Sequence, residues 1–512
     1  MKNMSASKQK KVRTDLRSDG VVDKKTSDQI EAEKKRKKFR RNTIIAVVII
    51  VLVIAASILI NSKYFYTKSD AVTVDGTGYT AAEYDYYYKN AYYNFVSSYG
   101  NYISFFLDTS KPLTEQKCSF LDDENATWAD YFSGLADDQL KETTALYSEA
   151  QKNGYVVDGD YANAIENNIS SVKSSASSYG YTVDAYLALN YGKGMDLDTF
   201  TQVITKYYTA LGYGQTIYDS YSYDDSELDT KYAEIKDDYD RITYLAYLCP
   251  NSLGEYEGMS DDEKAAASHD AAQTIADAQS EEEFVANVES ILSDDDKANF
   301  TGIDELRTVS YGQNVSSSYS EWMLDSSRKT GDTYVADASN GSYAVMFISR
   351  DDNSSKTVNV RHILVTAEAD DNGDYTEEAL AAAKAEIEDI EKQWKENPTE
   401  ERFAELAGLY SDDTGSNAGG GLYENVYNGQ MVEEFNDFCF DPSRKPGDTA
   451  IVYGSSSSYA GYHLIYFIGD GPIYSRYLAD NVMRQADYTE YLNGLTGSMN
   501  VTHNFAFRFV NF

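Results

Sequence analysis

Histidine is scarce in this sequence, four residues in 512, and cysteine is scarcer at three. Cys118, Cys249 and Cys439 lie far apart, form no Cys-x-x-Cys and leave one over from any pairing. That spacing supports neither a disulfide framework nor a zinc site, and isolated buried thiols are expected. Six prolines are too few for a proline-rich linker or a collagen-like chain. Ser416-Asn-Ala-Gly-Gly-Gly lacks the Lys-Ser/Thr that completes a phosphate loop. Asp370-Asp-Asn-Gly-Asp lacks the alternating ligands and terminal Glu of a calcium loop and reads as a solvated turn. No metal or cofactor is therefore expected. Positive charge is also missing from most of the chain. Residues 1–42 hold 15 Lys and Arg against 6 Asp and Glu, so the net charge of −38 leaves −47 for the other 470 residues. So acidic a body repels phosphate backbones, which argues against nucleic-acid binding.

What is present begins with one long apolar run. Thr43–Ile60 is interrupted only by Thr and Ser, a length that fits one membrane-spanning helix over 43–62. Lys34–Asn42, immediately before it, is strongly basic. Basic flanks stay cytoplasmic, so 1–42 is expected inside the cell membrane and the acidic body outside. A cleaved signal peptide has a shorter apolar core and a small-x-small cleavage site, so an uncleaved anchor is favoured. No cysteine follows closely enough for a lipid anchor.

Beyond the anchor, residues 63–232 read as a helical domain. Thr80–Tyr99, Trp128–Asn153 and Thr182–Leu211 place apolar and aromatic residues at helical spacing. Val72-Thr-Val-Asp-Gly-Thr-Gly-Tyr-Thr reads as a short strand, a glycine turn and a Thr cap. With 46 tyrosines in the chain, two readings stand. The rings either pack the domain together or form an amphipathic groove for unfolded segments. The tail from Asn500 to Val510 alternates like a strand, and His503 has no visible partner there.

The rest of the chain repeats itself. Asp325-Ser-Ser-Arg-Lys-Thr-Gly-Asp-Thr returns as Asp441-Pro-Ser-Arg-Lys-Pro-Gly-Asp-Thr, identical at seven of nine positions. A helix precedes each copy, Glu282-Glu-Phe before Ser293-Asp-Asp and Glu401-Arg-Phe before Ser411-Asp-Asp. Strands follow each copy, at Ser342-Tyr-Ala-Val-Met-Phe and Gly461-Tyr-His-Leu-Ile-Tyr. Others open both, at Ile242-Thr-Tyr-Leu-Ala-Tyr and Val360-Arg-His-Ile-Leu-Val. Two domains of one strand–helix–strand plan are expected, over 233–351 and 356–471.

The second copy resembles the parvulin (rotamase) family of peptidyl-prolyl isomerases along its whole length. The matching residues are Arg361-His-Ile-Leu-Val, Phe403-Ala-Glu-Leu-Ala, Tyr410-Ser-Asp-Asp, Gly419-Gly-Gly-Leu, Gly429-Gln-Met-Val-Glu-Glu-Phe and Gly461-Tyr-His-Leu-Ile. With the anchor and the helical region, the chain is similar to the PrsA/SurA group of extracytoplasmic foldases. That resemblance implies an α+β chain with one transmembrane helix, a helical chaperone domain and two parvulin-like α/β domains. It also implies that residues 472–512 return as a helix and tail to pack on the N-terminal region.

His362 and His463 both fall in motif strands, and two polar rings on otherwise apolar strands are expected to face each other across one sheet. By resemblance, Asp413 joins them as the acidic group beside the histidine pair. Leu422, Met431 and Phe435 match the apolar pocket for the prolyl ring. Tyr423 stands where the family usually has Gly, and Ala460 where a bulkier residue is common. The first copy, aligned through the repeat, has Tyr244 at the place of His362 and Ala344 at that of His463. It reads as a degenerate domain without activity. The sequence implies a foldase acting on unfolded secreted proteins with X–Pro bonds, or a holdase whose isomerase activity is dispensable. Oligomeric state is not legible.

Overall fold

The computed structural model describes residues 27–251, 258–370, 373–456 and 458–512. The first 26 residues of the basic leader, and residues 371–372 of the acidic turn, lie outside the described residues. Ser27–Asn61 is one helix. The side chains of residues 56 and 59–61, at the end of the expected membrane span, lie outside the description. The part described without a break, Thr43–Ala55, rises about 20 Å, against about 30 Å of bilayer hydrocarbon. Among the described residues no helix is long and apolar enough to cross a membrane.

The chain divides into two compact units. One comprises residues up to Ile217 with Glu490–Phe512. Strands β1 (Asp70–Val74) and β2 (Thr77–Thr80) form a hairpin around Asp75 and Gly76, at φ 45° and 84°. Two left-handed residues give the turn whose twist matches its strands. Thr80 and Glu83 then close a capping box on helix Ala81–Tyr99, and Thr127 and Asp130 do the same for Trp128–Lys152. Tyr84, Tyr86, Tyr87 and Tyr88 are buried with Trp128, Phe132 and Phe200. For these tyrosines the packing reading holds. Tyr102 and Phe105, 68% and 80% exposed, lie outside that core.

Two stretches of this unit are more finely divided than their spacing shows. Thr182–Leu211 is two helices, Val183–Tyr191 and Leu197–Ser220, parted by Gly192 and Gly194 at φ 116° and 114°. L-residues avoid that backbone, and a Cβ on Gly192 would lie 2.7 Å from Asp85 Oδ2. In the tail only Val501–His503 is strand, paired with β1, before a 3₁₀ turn over Phe505–Phe509. His503 is partnered after all, with Nε2 2.9 Å from Asp137 Oδ2. Ahead of it, Tyr491, Leu492 and Leu495 of helix Tyr474–Thr496 pack on Leu146, Ala150 and Tyr213.

The second unit, Tyr218–Thr489, holds two four-stranded antiparallel sheets. The first has β3 (Arg241–Pro250), β4 (Arg307–Tyr311), β5 (Thr333–Ala338) and β6 (Gly341–Asp351) in the order β4-β3-β6-β5. The second has β7 (Lys356–Thr366), β8 (Leu422–Val426), β9 (Thr449–Ser455) and β10 (Ala460–Ile473) in the matching order β8-β7-β10-β9. Strand alternation gives each sheet two apolar faces. One face packs on two helices. Phe284 and Val288 fill that core in the first copy, and Ile387, Trp394, Phe403 and Leu406 in the second. The opposite face carries a smaller core, Tyr244, Tyr319, Met323 and Phe347 in the first copy and Val360, Phe435, Phe438 and Phe467 in the second.

The repeated nine-residue segment is one turn built twice. Asp325 and Asp441 accept from the N–H of Ser327 and Ser443, both at 2.8 Å. Gly331 and Gly447 donate to Phe347 and Phe467, at 2.9 and 2.8 Å. This turn fixes the alignment of β6 with β10 and corrects the sequence alignment. With Phe347 at the place of Phe467, Tyr343 takes the place of His463, and strand pairing puts Ala246 at that of His362. Ala344 faces the helix-packed core on the other side of the sheet. Short apolar strands carry no side chain that marks their register, so a slip of one or two residues is invisible in sequence.

Candidate active site

The glycines of the second copy build the floor of the site. Gly420 and Gly421 adopt φ 70° and 71°. A Cβ on Gly421 would lie 2.1 Å from the His362 carbonyl, so only glycine passes there. The His362 N–H donates to the Gly421 carbonyl at 2.8 Å, locking the loop to β7. Arg361 donates to the carbonyls of Gly419 and Gly420 at 2.9 and 3.0 Å and pairs with Glu400 at 3.0 Å. Gly454, on β9, leaves room for the second ring, since a Cβ there would meet His463 Nε2 at 2.7 Å.

His362 and His463 meet across β7 and β10, each 5% exposed, with their Nδ1 atoms 3.2 Å apart. His362 Nε2 lies 2.8 Å from Asp413 Oδ2. Tyr459 O–H lies 3.0 Å from His463 Nε2. Burial holds the His463 imidazole down to about 3, reinforced by the neighbouring His362, so that ring is neutral at pH 7. With His463 neutral, one of its ring nitrogens donates and the other accepts. Tyr459, His463 and His362 thus form one continuous hydrogen-bonded line, which ends where His362 Nε2–H donates to the Asp413 carboxylate. Asp413 also accepts from Ser416, from Tyr423 O–H at 3.1 Å and from the Gly415 N–H at 3.0 Å. The hydrogen bond from His362, then those from Ser416 and Gly415, hold its carboxyl well below the usual range against the opposing effect of burial.

Phe435 lies edge-on to both imidazoles, 5.6 Å from His362 and 5.4 Å from His463. Met431 packs into the same cluster. Leu422 does not join them. It pairs with Arg361, whereas Val360 pairs with Tyr423, and paired residues share a face. Tyr423 is therefore the β8 residue over His362, at 5.1 Å between rings. Sequence reasoning misses Ser416, Tyr423 as a participant, and Tyr459. The unexpected Tyr after Gly421-Leu422 is the available signal for one of them.

Residues 343–468 match the family model of the PPIC-type PPIase domain, a span that includes His362, Asp413, Met431, Phe435 and His463. No curated protein matches the chain. Similar solved structures include the peptidylprolyl isomerase PrsA of Bacillus anthracis, at 16% identity over 56% of this chain and 91% of that one, TM-score 0.18. The PrsA of Bacillus cereus is also similar, at 16% identity over 59% and 85%, TM-score 0.19. So is a chain from a structure described under the two SurA-like chaperones PEB4 and Cj1289 of Campylobacter jejuni, at 13% identity over 83% and 94%, TM-score 0.12. Within its second copy the chain carries a parvulin-type peptidyl-prolyl cis-trans isomerase domain.

Proposed function

We propose that this protein isomerises X–Pro bonds in unfolded secreted or surface proteins on the outer side of a membrane. The observation that carries the reading is the hydrogen-bonded line Tyr459–His463–His362–Asp413 facing the apolar surface of Phe435 and Met431. The outer-side location is supported by the order of charge and hydropathy over residues 34–60, basic first and apolar second.

An X–Pro amide rotates over a barrier of about 18–20 kcal/mol, because resonance is lost when the bond is twisted. Catalysis requires only that the twisted amide be held better than either planar form. Phe435 and Met431 hold the prolyl ring and strip water from the carbonyl. The histidine line, oriented by Asp413, presents fixed dipoles to the rotating bond without reorganising. Asp413 is spent on orienting His362 and takes no covalent part.

Turnover of short X–Pro peptides by the full chain in mild detergent tests this. His362→Ala and Phe435→Ala are each expected to lower kcat/KM about tenfold or more, the scale of one lost transition-state contact. Unchanged turnover in both, with native circular dichroism, removes the site assignment. A holdase reading is favoured by one observation, the exposed stacked pair Tyr102 and Phe105 in the other unit. An inactive wild type that still suppresses aggregation of an unfolded protein would establish that reading instead.

A further inference from the structure

We infer that Arg241, in the first copy, is a positioning residue for the second copy, clamping the loop Tyr427–Gln430 that carries Met431 into the prolyl pocket. The inference rests on the site proposed above. Arg241 opens β3, and its side chain is 12% exposed. Two of its contacts fix its own direction. Nε donates to Asn353 Oδ1 at 3.0 Å, and Nη2 pairs with the Asp351 carboxylate. Asn353 is itself buried, donating to Tyr232 O–H and to the Tyr239 carbonyl, both at 2.8 Å. The remaining edge of the guanidinium reaches the other copy. Nη1 donates to the Asn428 carbonyl at 2.5 Å, and the plane lies 4.8 Å from the centre of the Tyr427 ring.

The loop that receives these contacts is tight and leads directly to the site. Gly429 turns it at φ 89°, and the Gln430 N–H closes it on the Tyr427 carbonyl at 3.1 Å. The Gly429 N–H donates at 2.6 Å to Asn436, the residue after Phe435. Tyr427 stacks on Tyr474 at 4.5 Å, and the Tyr474 hydroxyl meets that of Tyr311, on β4, at 2.5 Å. The first copy thus grips the pocket loop at a carbonyl and an aromatic face. Only a planar guanidinium with five donors makes these four contacts at once, and a lysine ammonium cannot. Releasing the loop lets Met431 drift, and small misplacements of a substrate-holding group are costly.

The experiment uses the full chain and X–Pro peptides. Arg241→Ala is expected to raise KM about tenfold with kcat changed less than about twofold, and Arg241→Lys not to rescue it. Tyr427→Leu raises KM similarly from the loop's side, and keeps the test open should Arg241→Ala fail to fold. Because both act on one loop, the double variant is expected to be no worse than the worse single. Arg307→Ala, which breaks a surface pair with Glu281 inside the first copy, is expected to leave KM unchanged. Unaltered KM in folded Arg241→Ala or in folded Tyr427→Leu overturns the clamp. A wild type without turnover overturns the proposed function instead. The clamp is then read by hydrogen exchange at Gly429 and Met431, which Arg241→Ala or Tyr427→Leu should speed severalfold, and unchanged exchange overturns it.

Discussion

The two copies in the second unit share strand order, turn geometry and the placing of two helices against one sheet face, yet their opposite faces have diverged. In one, two histidines and a carboxylate line up over Phe435. In the other, Ala246 and Tyr343 occupy the histidine places, and Tyr319 fills the space, edge-on to Tyr343 at 5.4 Å. Apolar packing serves both faces equally well for folding. The helix-packed core maintains the fold, and the opposite face is free to gain or lose chemistry. This separation predicts that damage to the two cores has the same thermodynamic size but different consequences.

The largest effect tests that separation. Phe403 and Phe284 are both fully buried, each in the helix-packed core of its copy. Phe403→Ala and Phe284→Ala are each expected to cost about 3–5 kcal/mol in the copy that carries the change. Chemical denaturation followed by turnover distinguishes them. Phe403→Ala should abolish turnover, while Phe284→Ala should reduce it only through loss of the Arg241 clamp. Equal and complete loss in both would mean that the copies fold as one cooperative block.

A smaller effect separates the copies by pH. The unfolded chain binds a proton at His463 near pH 6.5, but the folded second copy refuses it until about pH 3. Between those values the unfolded state holds more protons, so stability falls as pH falls, by about 2 kcal/mol at pH 5. Asp413, held low, adds to this below about pH 4, since its contribution is lost as it protonates. The first copy has Tyr343, not a histidine, at the place of His463, so it should show no slope of this origin. Hydrogen exchange at pH 7 and pH 5 reads each sheet separately, and His463→Gln should flatten the slope in the second. A slope of equal size in both sheets would remove His463 as its cause.

Much of this division is legible in the sequence. His362, His463 and Asp413 stand out because histidine is rare here and because the motif order matches. The helix starts at Ala81 and Trp128 are marked by Thr80 with Glu83 and Thr127 with Asp130, whose local hydrogen bonds are set by sequence spacing. What fails depends on register or on distant partners. Sequence places Leu422 in the pocket because nothing local says which face a strand's first residue takes. It matches Tyr244 and Ala344 to the histidines for the same reason. The break at Gly192 follows from close approach to Asp85, more than a hundred residues earlier, which periodicity does not see. Tyr459 and Ser416 reach the site from loops, where composition carries no pattern.

The sharpest way to break the comparison is expected to have the smallest effect. Ala246→His with Tyr343→His, in a His362→Ala background, restores the two rings to the first copy at the corrected register. No turnover should return, because the rings would have neither of their supports. The residue matching Asp413 through the repeated Ser-Asp-Asp is Asp295, exposed on the short helix Asp294–Asn299. An imidazole pair without a hydrogen-bonded carboxylate has nothing to fix its tautomers, and an unoriented pair presents no fixed dipole to the twisted amide. Nor does the first copy have the glycine turn that locks the floor of the site to its strand at Gly421. Turnover regained to more than about a tenth of wild type would show that the rings alone suffice. Asp413, Tyr423 and Ser416 would then be dispensable, and the difference between the copies would reduce to two side chains.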